Sequence, residues 1–263
     1  MFRDATHPFH LVEVSPWPLL TANALFSLLA TAVISLHDID LRGLRWLTPI
    51  VTLSGIILWF RDITIEGTYL RDHTLYVQKA LSMGVVLFIV TEVFFFLSIF
   101  WAYFHSSLSP AVELRSQWPP AGITPLNPIG VPLLNTILLL TSRATLTFAH
   151  HALICNQRKR ALLRTLVTIS VALVFTALQG LEYQDCGFTM RDRVYRSVFY
   201  FSTGFHRAHV VIRTIFIRVI LYRIMQHHTT REHHIGLERA ILYWHFVDLV
   251  WLFLYISVYW WRS

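Results

Sequence analysis

Charge is scarce in this chain. Asp, Glu, Lys and Arg make up 14% of its 263 residues, against roughly 25% in a soluble domain. Glycine occurs at only ten positions and cysteine at two. Cys155 and Cys186 are too few and too far apart to frame a disulfide scaffold or a zinc site. No glycine-rich phosphate loop, GxSxG elbow, CxxC or HExxH occurs, so the common soluble-enzyme chemistries lack their residues. The N-terminal fifteen residues are polar, and no cleavable signal peptide is expected.

Hydrophobic residues are abundant at 55%, with a mean hydropathy of +0.52. They gather into seven segments, at about 16–36, 44–65, 73–105, 129–153, 160–183, 194–224 and 237–261. Each is long enough to cross a hydrocarbon core of about 30 Å as a helix. The expected fold is one all-α polytopic domain over 1–263. The net charge of +7 would suggest nucleic acid in a soluble protein. Here basic residues mark helix ends, where they suit lipid headgroups, and no nucleic-acid partner is expected. The run Arg158-Lys159-Arg160 marks an inner side, and parity then puts the N-terminus, the Arg71 turn and the 225–236 loop there too. The long loop Ser106 to Pro128 is rich in proline and cannot be helix. It should cap the membrane with Trp118 at headgroup depth, while Trp46, Trp59, Trp101, Trp244, Trp260 and Trp261 mark segment ends.

One carboxylate, Glu92, sits near the centre of the run Leu81 to Tyr103. A charge at that depth costs about 2.5–3.5 kcal/mol on insertion scales. Glu92 should therefore be neutral, paired inside a bundle or part of a proton path, with interhelical hydrogen bonding as the plain alternative. The fourteen histidines include the pairs His150-His151, His227-His228 and His233-His234. Neighbours on a helix point about 100° apart and cannot share one metal from one face. His206 and His209 are three apart, a spacing that suits haem or copper ligation. A simpler partner is Asp248: counted from a turn near Thr229, His209 and Asp248 reach nearly the same depth. His245 extends the Asp248 face. A buried His–Asp pair satisfies both groups without a metal, and no metal site is expected.

Several strings in order carry a resemblance: PFHLVEVSPWPL, WFRD, TEVFFFLSIFWAYFHSSLSP, WPPAGITPLNPIGVPLLNT, TFAHHAL, STGFHRAHVVI and YWHFVDLVWLFLYISVYWW. Over nearly its whole length the chain resembles the subunit III family of mitochondrial cytochrome c oxidase. That resemblance implies seven transmembrane helices, the first two splayed from the last five by a V-shaped cleft filled with lipid. It implies a non-catalytic subunit in the mitochondrial inner membrane, packed against the catalytic subunit 1 and other subunits of respiratory complex IV. Haem and copper are expected in those partners, and only structural phospholipids on this chain. Glu92 matches the family's carbodiimide-reactive carboxylate. Arg61, Glu66 and His73 fall near expected lipid headgroups, and Arg223 matches a basic residue at the inner surface. A second function class is an independent proton channel or transporter using Glu92, His206, His209 and Asp248, although no chain of ionisable residues leads away from Glu92 along its helix.

The resemblance breaks in one recurring way. Arg71, Arg115, Arg143, Arg193, Arg196, Arg207, Arg213 and Arg262 stand where the family pattern usually has glycine, as in LTSRATLT, GFHRAH and YWWRS. No surplus of acidic residues is evident to pair them. The expectation is that some of these codons are read or edited as glycine, since one A-to-G change converts AGA or AGG into a glycine codon.

Overall fold

The structure is a computed structural model. It describes residues 8–37, 41, 43–70, 72–112, 115–120, 122–123, 125–186, 194–231 and 233–261. Arg71, Arg193 and Arg262 lie outside them. Among the described residues seven α-helices follow one another: α1 (Trp17–Leu36), α2 (Leu44–Ile65), α3 (Leu75–Leu108), α4 (Val131–Ile154), α5 (Arg158–Asp185), α6 (Val194–Met225) and α7 (Ile235–Leu254). Two π-helical turns, Glu66–Leu70 and Tyr255–Trp260, extend α2 and α7. Helices suit these segments because a helix satisfies its own backbone polar groups where lipid offers none. Prolines stand where they cost least. Those of α1 and α4 fall in the first turn, and only Pro49 lies inside a helix.

Among the described residues six helices are long and apolar enough to cross a membrane. The exception is α6, which carries Arg196, Arg207, Arg213, Arg218 and Arg223. The chain is a multi-pass membrane protein in which one central helix is unusually rich in cations.

By packing the chain divides into two units, Met1–Leu81 and Ser82–Ser263. In the first, α1 packs on α2 through small residues: Thr21, Ala24 and Thr31 on one side, Thr48, Thr52 and Gly55 on the other. Small side chains let helix backbones approach closely in lipid, where no hydrophobic force drives them together. At Gly55 the approach leaves no room, since a Cβ there would lie 3.0 Å from Thr21 Oγ1. Gly55→Leu is expected to cost about 1–3 kcal/mol by overpacking, with Gly55→Ala milder. Thermal unfolding in detergent checks this, and equal midpoints for wild type and Gly55→Leu would contradict it.

In the second unit α7 is the hub. Of its membrane-spanning window 61% is buried, against 11% for α3. Leu237, Ala240, Trp244, Val247, Trp251, Leu254 and Val258 are all buried, and their alternating spacing of three and four makes a continuous seam. Two indoles on that seam donate to α4: Trp244 Nε1 to Ser142 Oγ and Trp251 Nε1 to Thr136 Oγ1, both at 3.0 Å. Hydrogen bonds of this kind join helices where water cannot compete. The contacts from α3 to α6 and α7 run through aromatic rings. Phe95 meets Phe205, Phe96 meets Phe246, Phe100 meets Phe253 and Phe104 meets Trp261.

Two features depart from expectation. Trp118, expected at headgroup depth, is buried, its ring edge-on to Tyr103 and Tyr195. The proline loop thus anchors itself with an aromatic plug. Arg158 does more than mark a side: its Nη2 donates to the carbonyls of Ile224 and Met225 at 2.6 and 2.5 Å, and its Nη1 contacts His227. The cation closes the carbonyl end of α6, where the helix dipole favours positive charge.

Candidate intramembrane polar site

Glu92, in the middle of α3, does not stand alone. Its Oε2 lies 2.7 Å from His209 Nε2 on α6. His209 Nδ1 lies 2.7 Å from the carbonyl oxygen of Phe205, one turn back on the same helix. That second bond fixes the proton count. A carbonyl only accepts, so Nδ1 carries hydrogen. Nε2 then either accepts from a protonated Glu92 or is itself protonated and faces a carboxylate. In both forms the pair is neutral overall and shares one proton across 2.7 Å. Phe96 packs its ring against the imidazole at 5.2 Å, and the side chains of His209 and Glu92 are 11% and 19% exposed. A neutral pair is the form a low-dielectric setting favours.

This pairing replaces the expected one between His209 and Asp248. The two elements do reach similar depths, because His206, one turn before His209, meets the carbonyl oxygen of Val247 at 3.2 Å. The face is what differs. Residues three apart on a helix are turned about 60° from each other. His206 thus faces α7 and α5, where Trp251 of α7 and Phe175 of α5 enclose its ring, and His209 faces α3. Asp248 instead turns toward α4, where its Oδ2 lies 3.5 Å from Arg143 Nη1. His245 also meets α4, its Nε2 3.4 Å from Thr147 Oγ1. Arg143 therefore has an acidic partner after all. Its side chain is 44% exposed while that of Asp248 is 1% exposed, so the guanidinium reaches in from the surface to neutralise a buried carboxylate.

The other arginines fare differently. Arg213 is 2% exposed, and none of its three guanidinium nitrogens makes a hydrogen bond. It is compensated by the Tyr243 ring, 3.6 Å beneath the guanidinium carbon, by the more distant Phe246 ring at 5.8 Å, and by the electrostatic attraction of Glu92 and Asp248. Arg207 lies over the Tyr183 ring at 5.6 Å, its Nη2 crowding the space above Gly180. Arg115 has φ of +57°, a conformation glycine adopts freely and other residues rarely.

The residues expected at headgroups sit at helix ends. Arg61 is exposed near the end of α2, 3.9 Å from Asp62. Glu66 opens the π-helical turn and lies 3.3 Å from His10 Nε2. His73, just beyond the turn, brings its ring to 5.8 Å from that of His10. Gly67 makes room for it, since a Cβ there would lie 2.7 Å from His73 Nδ1. Arg223 packs in the last turn of α6, near Gly236.

Sequence reasoning missed Glu182, a second carboxylate, 3% exposed in the last turn of α5 beside Tyr259. It also missed the buried amides of Asn135 and Gln179. Glu182 looked like a segment end; only the three further residues of α5 carry it inside the bundle.

Taken together, these contacts define a helical membrane protein in which two interior carboxylates, Glu92 and Asp248, are each paired with a basic group on another helix. The chain belongs to the cytochrome c oxidase subunit III family, whose model matches residues 7–263. Among its relatives is cytochrome c oxidase subunit 3 of Neurospora crassa, 55% identical over 263 residues, covering 100% of this chain and 97% of the relative. The subunit 3 of Podospora anserina is equally similar, at 55% over the same coverage. That of Mycosarcoma maydis is 56% identical over 262 residues, covering 97% of this chain and 95% of the relative.

Proposed function

We propose that this chain is a core subunit of cytochrome c oxidase, the respiratory complex IV. It carries no redox centre and stabilises the catalytic subunit 1 that holds haem and copper, in the mitochondrial inner membrane. The family match over residues 7–263 carries this reading. The site adds support. Both ring nitrogens of His209 are occupied by protein partners, and Glu92, His206 and Asp248 each turn to a different neighbour. Among the described residues these groups form no continuous hydrogen-bonded path, which disfavours the channel alternative.

The large exposed apolar faces of α1, α2 and α3, whose membrane windows are only 11%, 17% and 11% buried, suit partner subunits and acyl chains. Structural phospholipids belong to this proposal, their headgroups met at helix ends by Arg61, Glu66, His73 and Arg223. The test is purification through a tag on this chain. Haem and copper spectra and cytochrome c-dependent oxygen uptake should co-purify with it. Arg61→Gln combined with Arg223→Gln should reduce retained phospholipid without removing the haem signal. A chain that purifies alone, with no haem, would overturn the subunit reading. Unchanged lipid content in the double variant would overturn the headgroup role.

A further inference from the structure

We propose that His150, His234 and Glu238 form a divalent transition-metal site, of the kind that takes Zn²⁺, at the end of the bundle marked by Arg158–Arg160. Adjacent histidines on one helix cannot share an ion, but one member of each of two pairs does come together here. His150 belongs to the last turns of α4, His234 is the N-cap of α7 and Glu238 lies in the first turn of α7. Each offers a ligand atom, and these atoms all lie within 4.8 Å of one another. His234 Nε2 and Glu238 Oε1 are 3.2 Å apart. Ligands at about 2.1 Å from a tetrahedral ion would be separated by about 3.4 Å, so this edge is already in place.

The second observation concerns what the two rings lack. Their centroids are 5.2 Å apart, yet His150 Nε2 and His234 Nδ1 are both buried without a hydrogen-bond partner. Buried polar atoms are ordinarily satisfied, and no protein group reaches His150 Nε2. A cation held by His150, by the His234 Nε2 that already meets Glu238 and by the Glu238 carboxylate removes the deficit at His150 Nε2. Two nitrogens and one oxygen match the donor preference of Zn²⁺, with water completing the tetrahedron. The competing account leaves Glu238 as an acidic residue at a helix N-terminus, paired with His234 at i, i+4 and needing no ion. It leaves His150 unexplained. The proposal does not depend on the oxidase reading.

The experiment uses the full chain purified from the membrane with its partner subunits. The preparation is stripped with a chelator and equilibrated with buffered Zn²⁺, and the bound zinc is counted by mass spectrometry. Wild type and the neighbouring-residue control His151→Gln should each hold one zinc more than His150→Gln and Glu238→Gln. The zinc X-ray absorption edge should show imidazole nitrogens at about 2.0–2.1 Å, lost in the same two variants. The Glu238 side chain is 41% exposed, so Glu238→Gln assembles even where His150→Gln does not, and it decides the matter alone. Equal zinc in wild type and Glu238→Gln would overturn the site.

Discussion

Peptides covering position 213, taken from the protein in its own membrane, are expected to carry glycine, and trypsin should fail to cut there. As written, Arg213 is 2% exposed within α6 with three guanidinium nitrogens unbonded. A charged residue at mid-membrane costs about 2.5–3.5 kcal/mol on the insertion scale, and each buried unsatisfied group adds about 1–3 kcal/mol. The face of Tyr243 at 3.6 Å returns about 2 kcal/mol when desolvated. The balance remains unfavourable. Glycine would remove the charge and let α6 and α7 close over the space by small-residue packing. With glycine at 213, residues 208–225 would keep only Arg218 and Arg223, and α6 would become as apolar as its neighbours. Arg115 points the same way on separate grounds, because φ of +57° costs a non-glycine residue about 1–2 kcal/mol. Arg143, neutralising Asp248 from the surface, is the member of the series for which arginine makes sense. In a host that reads the codon as arginine, Arg213→Gly should raise stability by about 2–3 kcal/mol, measured as the thermal midpoint in detergent. Intact arginine peptides at 213 would sink the recoding expectation, and an unmoved midpoint would sink the energetic argument beneath it.

Hydrophobicity made the helices legible. All seven segments lie within a few residues of the helices observed, since lipid leaves the backbone no alternative to helix. The π-helical turns at Glu66–Leu70 and Tyr255–Trp260 were not, because one extra residue per turn leaves no mark in residue type or spacing. Depth within the α6–α7 hairpin was also legible, as the His206 to Val247 contact shows. Partner choice was not. Glu92 and His209 are 117 residues apart, and whether His209 turns to α7 or to α3 depends on which helices flank α6, which no spacing along one helix reveals. Arg143 and Asp248 meet across α4 and α7 for the same reason. The interior polar residues could be picked out by type, but pairing them required the bundle.

Replacing His209 with leucine is expected to destabilise the chain by about 1–3 kcal/mol, the cost of leaving a buried polar group without its partner, whereas Glu92→Gln should stay within about 1 kcal/mol of wild type. The difference follows from where the shared proton rests. If Glu92 holds it, the carboxylic acid donates to His209 Nε2, and a glutamine amide can donate in its place. If His209 holds it, Glu92→Gln strands an imidazolium inside the bundle and becomes as damaging as His209→Leu. Phe96 lies against the imidazole ring and a carbonyl already accepts from Nδ1, so the neutral acid is the form expected once glycine replaces the Arg213 cation that otherwise interacts with Glu92. Joint replacement of Glu92 and His209 by leucine should recover part of the loss, because it removes both polar groups at once. The hydrogen bond itself should contribute about 0.6 kcal/mol by double-mutant cycle, the average for polar contacts between membrane helices, and at most about 1.7. Thermal release of this chain from its complex in detergent measures these variants, with Glu92→Leu added to close the cycle, on one scale. If Glu92→Gln falls as far as His209→Leu, the pair is an ion pair at rest and the proton lies on the histidine.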